Sequence, residues 1–162
     1  MNMFSARRPA IVFFLILKIT LLWPQNSADM HAEFMTVAEA ANDPALLIGL
    51  SLTELIRQFG IPVSVFPVRG FEDWQDDVVF VYDEIDFYVF RDHVWQLGLK
   101  SIYRIRRGDP VAAVYLSLGE PAFRGEDFAL YALKNYSWPV ELRFNFDSSG
   151  IVTMIYIYRS DM

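Results

Sequence analysis

Residues 48–62 read IGLSLTELIRQFGIP, and residues 107–121 read RGDPVAAVYLSLGEP. The second stretch follows the first at a constant offset of 59 positions, which aligns Gly60 with Gly119. In each stretch apolar residues recur at i, i+3, i+4 and i+7, the spacing of one face of an α-helix. These apolar positions are Leu52, Leu55, Ile56 and Phe59, then Val111, Val114, Tyr115 and Leu118. The chain therefore reads as a duplicated unit that begins with a short helix.

Both predicted helices carry start and stop signals. Ser51 and Glu54 have the spacing of a capping box, in which each side chain satisfies a backbone N–H of the first turn. Asp109 before Pro110 predicts an N-cap followed by a proline, which needs no N–H there. A glycine and then a proline end each stretch, as Gly-Ile-Pro and Gly-Glu-Pro, so neither helix is expected to continue.

Apolar segments separated by turn residues follow each helix and predict strands. They are Val78–Tyr82, Ile85–Phe90 and Val94–Leu99 in the first copy, then Phe128–Leu133, Val140–Phe146 and Ile151–Tyr158 in the second. The predicted fold class is α+β, with two tandem repeats packed as one domain. Each repeat is a helix followed by a three-stranded antiparallel meander, in a continuous or a facing sheet. We assign residues 47–101 to repeat 1, residues 102–162 to repeat 2, and residues 29–46 to an N-terminal helical or flexible segment.

Composition limits the functions open to the chain. Apolar residues make up 54% of its 162 residues and aromatic residues 16%, which excludes general disorder. The formal charge of −6 disfavours nucleic-acid binding. The sequence contains no cysteine, which excludes disulfides and thiolate chemistry.

The first 28 residues have the pattern of a signal peptide. Arg7 and Arg8 precede the apolar stretch Ala10–Trp23, whose one charged residue is Lys18. This stretch is shorter than the roughly 20 residues of a membrane-spanning helix. We expect export to the periplasm or the exterior with cleavage near Ala28; an uncleaved inner-membrane anchor is the alternative. Cleavage would remove three of the 14 basic residues and none of the 20 acidic ones, which lowers the formal charge from −6 to −9.

The order of glycine, helix, Gly-x-Pro and a meander with a Phe-turn-apolar hairpin resembles a known family. The residues on which this resemblance rests are Gly49, Leu55, Gly60, Pro62 and residues 90–94, then Gly108, Val114, Gly119, Pro121 and residues 146–151. The pattern is similar to the outer-membrane assembly lipoproteins (BamE, also called SmpA or OmlA) and to the tandem-domain β-lactamase inhibitor proteins (BLIP-like). The resemblance implies a non-catalytic module that presents a sheet or its loops to a protein partner.

Candidate catalytic and metal-binding groups are few. The two histidines are His31, in the predicted N-terminal segment, and His93, in a predicted hairpin turn. No Gly-x-Ser-x-Gly elbow or phosphate-binding glycine loop occurs. We predict that the chain is not an enzyme and has no catalytic residue, no metal site and no cofactor; an enzyme would have to join His93 to acidic residues.

Two clusters of charge have ordinary explanations. Acidic residues surround Trp74 without the alternating spacing of a calcium loop, so they predict a solvated edge, with weak divalent-cation binding as the alternative. They are Glu72, Asp73, Asp76 and Asp77. Basic residues between the two copies predict a protected strand edge, with contact to anionic lipid as the alternative. They are Lys100, Arg104, Arg106 and Arg107.

Two predicted strands are apolar on both faces, which singles out a candidate binding surface. Strand Val140–Phe146 alternates apolar and polar residues, whereas Ile151–Tyr158 and Ile85–Phe90 place aromatic rings opposite their aliphatic residues. We predict that these rings bind another envelope or secreted protein. The candidate contact residues are Trp74, Tyr88, Trp95, Tyr156 and Tyr158. Two alternatives are that this face is covered within the molecule, or that the sheets enclose a small apolar ligand.

Overall fold

The structure is a computed structural model of the chain, and it describes residues 42–69 and 76–162. The described residues belong to one unit, Glu33–Met162. The predicted signal peptide, most of the N-terminal segment, His31 and the group Glu72, Asp73 and Trp74 lie outside the described residues.

Two α-helices and ten strands make up the described part of the chain. A 3₁₀ turn at Pro44–Leu47 precedes helix α1, Leu52–Phe59, and helix α2 is Val111–Leu118. The strands of the first half are β1 Ser64–Val68, β2 Asp77–Val81, β3 Ile85–Phe90 and β4 His93–Leu99. A hairpin of β5, Ser101–Ile102, and β6, Ile105–Arg106, follows. The second half contains β7 Phe123–Arg124, β8 Phe128–Leu133, β9 Val140–Phe146 and β10 Val152–Arg159.

Eight strands form a single antiparallel sheet. Their order is β1-β2-β3-β4-β10-β9-β8-β7, so the two halves meet where β4 pairs with β10. This seam places Ile155 opposite Leu99 and Ile157 opposite Leu97. The short β5–β6 hairpin forms a separate two-stranded sheet. The described part of the chain is therefore mainly β.

The predicted fold class is wrong. The six predicted strands and two predicted helices are present, but the strands join β1 and β7 in one eight-stranded sheet instead of forming two separate repeats of a helix and a three-stranded meander. The sequence missed β1 and β7, the two edge strands. All five residues of β1 are exposed and one is Pro67, while β7 has two residues, so neither shows a periodic burial pattern.

The start of α1 agrees with its sequence signal and the start of α2 does not. The Ser51 hydroxyl accepts the backbone N–H of Glu54, and the Glu54 carboxylate accepts the backbone N–H of Ser51, which completes the predicted capping box. At α2 the N-cap residue is Pro110, and the Asp109 carboxylate accepts the backbone N–H of Arg106 instead. The aspartate therefore closes the turn before the helix, and the N-cap prediction at Asp109 is wrong.

Corresponding contacts hold each helix against its half of the sheet. The Tyr82 hydroxyl donates to the Gly60 carbonyl at the end of α1, and the Tyr131 hydroxyl donates to the Gly119 carbonyl at the end of α2. Both glycines have positive φ, 75° and 77°, which glycine adopts without a Cβ penalty. Each bond satisfies a carbonyl that the helix end leaves free.

The hydrophobic core lies on the side of the sheet that carries the helices. Leu55 of α1 and Val114 of α2 are fully buried in the same cluster as Phe87, Leu97 and Phe144 from the strands. The 3₁₀ turn adds Ala45 and Leu47 to this cluster. We call this side of the sheet the core face.

Candidate functional site on the outer face of the sheet

The face opposite the core carries a continuous row of side chains across the central strands. Because side chains alternate along a strand, residues opposite one another in register share a face. The register places Tyr88 opposite Gln96, Gln96 opposite Tyr158, and Tyr158 opposite Glu141. We call this side the outer face. The apolar residues of α1 and α2 pack into the core cluster, so neither of these helices covers it.

Tyr88 and Tyr156 form an aromatic pair at the centre of the outer face. Their ring centroids are 6.3 Å apart with planes at 80°, the edge-to-face geometry that aromatic pairs prefer. Gly98 lies opposite both Asp86 and Tyr156 in register, and an added Cβ there would come within 3.5 Å of the Tyr88 ring. That distance is an ordinary van der Waals contact, so the Tyr88 ring lies directly against the backbone of β4.

Trp95 reaches the outer face through a β-bulge. Tyr88 pairs with Gln96 and Val89 with Val94, which leaves Trp95 as the extra residue of β4. The Trp95 indole N–H donates to the Asp77 carboxylate over 3.1 Å. Burial raises the pKa of Asp77, although this hydrogen bond opposes the change. The indole is thus fixed in orientation, and its ring remains half-buried.

An open groove of about 600 Å³ lies beside these rings. Trp95, Tyr156 and Tyr158 line it together with polar residues of β9. The Tyr158 hydroxyl donates to a Glu141 carboxylate oxygen over 2.8 Å. We call this feature the outer groove. It offers apolar ring faces, and the polar atoms of Trp95 and Tyr158 already have hydrogen-bond partners within the protein.

Arg143 occupies the β9 side of the outer groove. Its Nε donates to the Asn145 side-chain oxygen over 2.6 Å, and its guanidinium carbon lies 4.1 Å from the centre of the Phe128 ring. Within residues 42–69 and 76–162, no carboxylate oxygen lies within 4.0 Å of this guanidinium. Arg159, in the same groove, pairs with Asp161 at 2.9 Å. Arg143 is therefore a held cation without an acidic partner in the described part of the chain.

The structure brings together four of the five predicted contact residues. Tyr88, Trp95, Tyr156 and Tyr158 share the outer face, while Trp74 lies outside the described residues. Sequence reasoning missed Glu141, Arg143 and Asn145, because alternation along β9 marked them only as solvent-facing. No local signal could have revealed their proximity to Tyr156 and Tyr158, since it depends on the pairing of β9 with β10.

His93 and a second groove also bear on the sequence predictions. His93 is exposed at the start of β4, and its Nδ1 lies 3.2 Å from the Arg91 carbonyl oxygen. No group of three potential metal ligands occurs among the described residues. A second groove of about 780 Å³ lies beside α2, where Asp147 accepts backbone N–H groups of Ser149 and Ile151. Both this groove and the outer groove are open to solvent rather than enclosed between sheets.

The half-buried phenols of Tyr88 and Tyr158 predict a loss of stability at alkaline pH. Burial raises the pKa of Tyr88 to about 12, and burial with the Glu141 hydrogen bond raises that of Tyr158 to about 12. The folded state therefore holds these protons more tightly than the unfolded chain, whose tyrosine pKa is near 10.0. Their contribution to stability is complete below pH 10 and is lost as the pH rises towards 12. Denaturant unfolding across this range should show a falling midpoint, with a shallower fall in Tyr88→Phe; equal slopes would contradict the prediction.

Comparisons with known proteins place the chain in no family. No protein-family profile matches it, and no curated protein matches its sequence. A similar solved structure is the 1.5 Å crystal structure of an extracellular protein containing an SCP domain from Bacillus anthracis strain Ames. The two are 11% identical, with a TM-score of 0.43, and the match covers 78% of this chain and 46% of that one. This chain therefore spans less than half the length of that protein.

The resemblance to BamE-like lipoproteins and BLIP-like inhibitors is wrong. No family profile and no curated protein matches the chain, and one sheet of eight strands replaces the helix-plus-meander repeats on which the resemblance rested. The glycines and prolines that suggested it end short helices and turns, so they specify local geometry rather than a family. Among the described residues, no helix is long and apolar enough to cross a membrane.

Proposed function

We propose that this chain is an exported, non-catalytic module that binds another envelope or secreted protein through the outer face of its sheet. Export rests on Arg7, Arg8 and the apolar stretch Ala10–Trp23. Binding rests on the clustering of Tyr88, Trp95, Tyr156 and Tyr158 on a sheet face that neither α1 nor α2 covers.

The observation that carries this proposal is that aromatic side chains on the outer face are already held in a fixed orientation. Tyrosine and tryptophan are enriched at the energetic centres of protein interfaces, because they bury a large area at little cost in conformational freedom. The Trp95 indole is held by Asp77, and the Tyr158 hydroxyl is held by Glu141. Both side chains are ordered before a partner arrives, so association loses less entropy.

Replacing Tyr156 with alanine tests this function. The change removes the central ring of the pair with Tyr88 and should weaken partner binding at least about tenfold, as for a residue at the centre of an interface. The partner would be identified by cross-linking in cells that make the protein naturally. Its affinity for purified wild-type and variant protein would then be measured by calorimetry.

The matched control is Leu116→Ala. Leu116 lies on α2, away from the outer face, and 88% of its surface is exposed, so its loss should change neither folding nor partner affinity. A Tyr156→Ala protein that folds and binds the partner with wild-type affinity would show that the outer face is not the interface.

A further inference from the structure

We infer that the outer groove recognises a carboxylate of its protein partner, an Asp or Glu side chain flanked by apolar residues, and that Arg143 binds it. This inference rests on the proposed function, because it specifies the chemistry of the same surface. It is carried by an oriented arginine that has no acidic partner within the described residues and that lies beside aromatic side chains.

The orientation of Arg143 is fixed before any ligand binds. Asn145 accepts from Nε over 2.6 Å, and the Phe128 ring lies under the guanidinium with 4.1 Å between the ring centre and the guanidinium carbon. The guanidinium also faces the Tyr158 hydroxyl, and its planar fork of N–H donors has a geometry that matches a carboxylate. Little side-chain freedom is therefore left to lose when an anion arrives.

The charges around the groove favour an anion at this position. Arg159 lines the same groove but is already paired with Asp161 at 2.9 Å. Glu141 lies two residues before Arg143 and accepts the Tyr158 hydroxyl. A ligand carboxylate is attracted to Arg143 and repelled by Glu141, so the groove should orient the ligand along β9.

The walls of the groove define what flanks the carboxylate. Tyr156 pairs with Arg143 in register, and Trp95 and Tyr158 line the same space. The aromatic side chains of the groove favour a ligand with apolar residues next to its carboxylate, since burial of apolar surface contributes about 25 cal/mol per Å². A short segment with aspartate between leucines satisfies both the arginine and the rings.

Peptide titration tests this inference with defined probes. The acetylated, amidated peptide Ala-Leu-Asp-Leu-Ala would be titrated into isotopically labelled protein and compared with the matched peptide Ala-Leu-Asn-Leu-Ala. The readout is the indole N–H resonance of Trp95, assigned by its absence in Trp95→Phe. We expect the Asp peptide to shift this resonance and to bind at least about tenfold more tightly than the Asn peptide.

Three substitutions should give three different results. Arg143→Gln should abolish the preference for Asp over Asn, whereas Glu141→Gln should strengthen binding of the Asp peptide by removing a like charge. Arg124→Gln is the matched control and should leave the preference unchanged, because Arg124 lines the second groove beside α2 and not the outer groove. Thermal melting of each variant would establish that it is folded.

The outcomes separate this inference from the proposed function. Equal binding of both peptides, or no binding of either, overturns carboxylate recognition. If Tyr156→Ala still loses the cross-linked partner, the proposed function stands without it. A preference for Asp that survives Arg143→Gln also overturns the assignment of Arg143.

Discussion

Phe144→Ala should lower the free energy of unfolding by about 3–5 kcal/mol, the range for aromatic truncations in a packed interior. Phe144 is fully buried on the core face of β9, where it pairs with Ala129 of β8 and Ile155 of β10. Its ring meets the Tyr131 ring edge-to-face at 6.1 Å. Truncation removes apolar burial and this ring contact, and it leaves a cavity that three hydrogen-bonded strands cannot close.

The control for this prediction is another phenylalanine of the same sheet. Phe123 lies on the edge strand β7, is 56% exposed and stacks on Phe128 at 5.7 Å. Phe123→Ala should lower the free energy of unfolding by less than about 1 kcal/mol, as for most exposed substitutions. Both variants would be measured by denaturant unfolding, with the slope m used to check that unfolding remains two-state. Equal losses from the two variants would contradict this position of the core.

The sequence predicted the parts of this fold that local patterns specify. Strand β9 alternates Val140, Leu142 and Phe144 with polar residues, and its bounds match the structure. Helix α1 begins at a capping box and ends at a glycine, and the residues that form both signals lie within or next to the helix. In each case the determinant lies inside the element.

The parts that were not predicted depend on contacts between distant residues. The pairing of β4 with β10 brings Leu97 to Ile157, and no local pattern distinguishes it from a pairing that would leave two separate sheets. Strand β1 pairs only with β2 in the described sheet and is exposed, so its residues show no burial period. The joining of all eight strands into one sheet is therefore decided by contacts between distant residues.

The candidate site also has a part that the sequence reveals and a part that depends on contacts between distant residues. The rings of Tyr88 and Tyr156 were identified because they break the alternation of a one-sided sheet. Arg143 follows that alternation and looked like an ordinary solvated charge. Its significance comes from Phe128 and Asn145, which fix its orientation, and from the absence of a carboxylate within 4.0 Å in the described part of the chain.

Leu47→Ala should lower the free energy of unfolding by about 2–5 kcal/mol, although Leu47 lies before the first helix. It is fully buried in the core cluster, whereas the adjacent Leu46 is 48% exposed. The turn that carries both residues follows Asp43, whose carboxylate oxygens accept the Tyr136 hydroxyl at 2.8 and 2.9 Å. This contact joins residues 93 positions apart.

Leu46→Ala is the neighbouring control and should cost less than about 1 kcal/mol, because most of the removed surface is already in water. The difference between the two leucines measures how firmly the 3₁₀ turn is packed under the sheet. If Leu47→Ala unfolds at the same denaturant concentration as Leu46→Ala, the turn is not part of the core. A large difference would mean that the folded unit begins before α1, since a residue outside that unit could not stabilise strands that follow it in the chain.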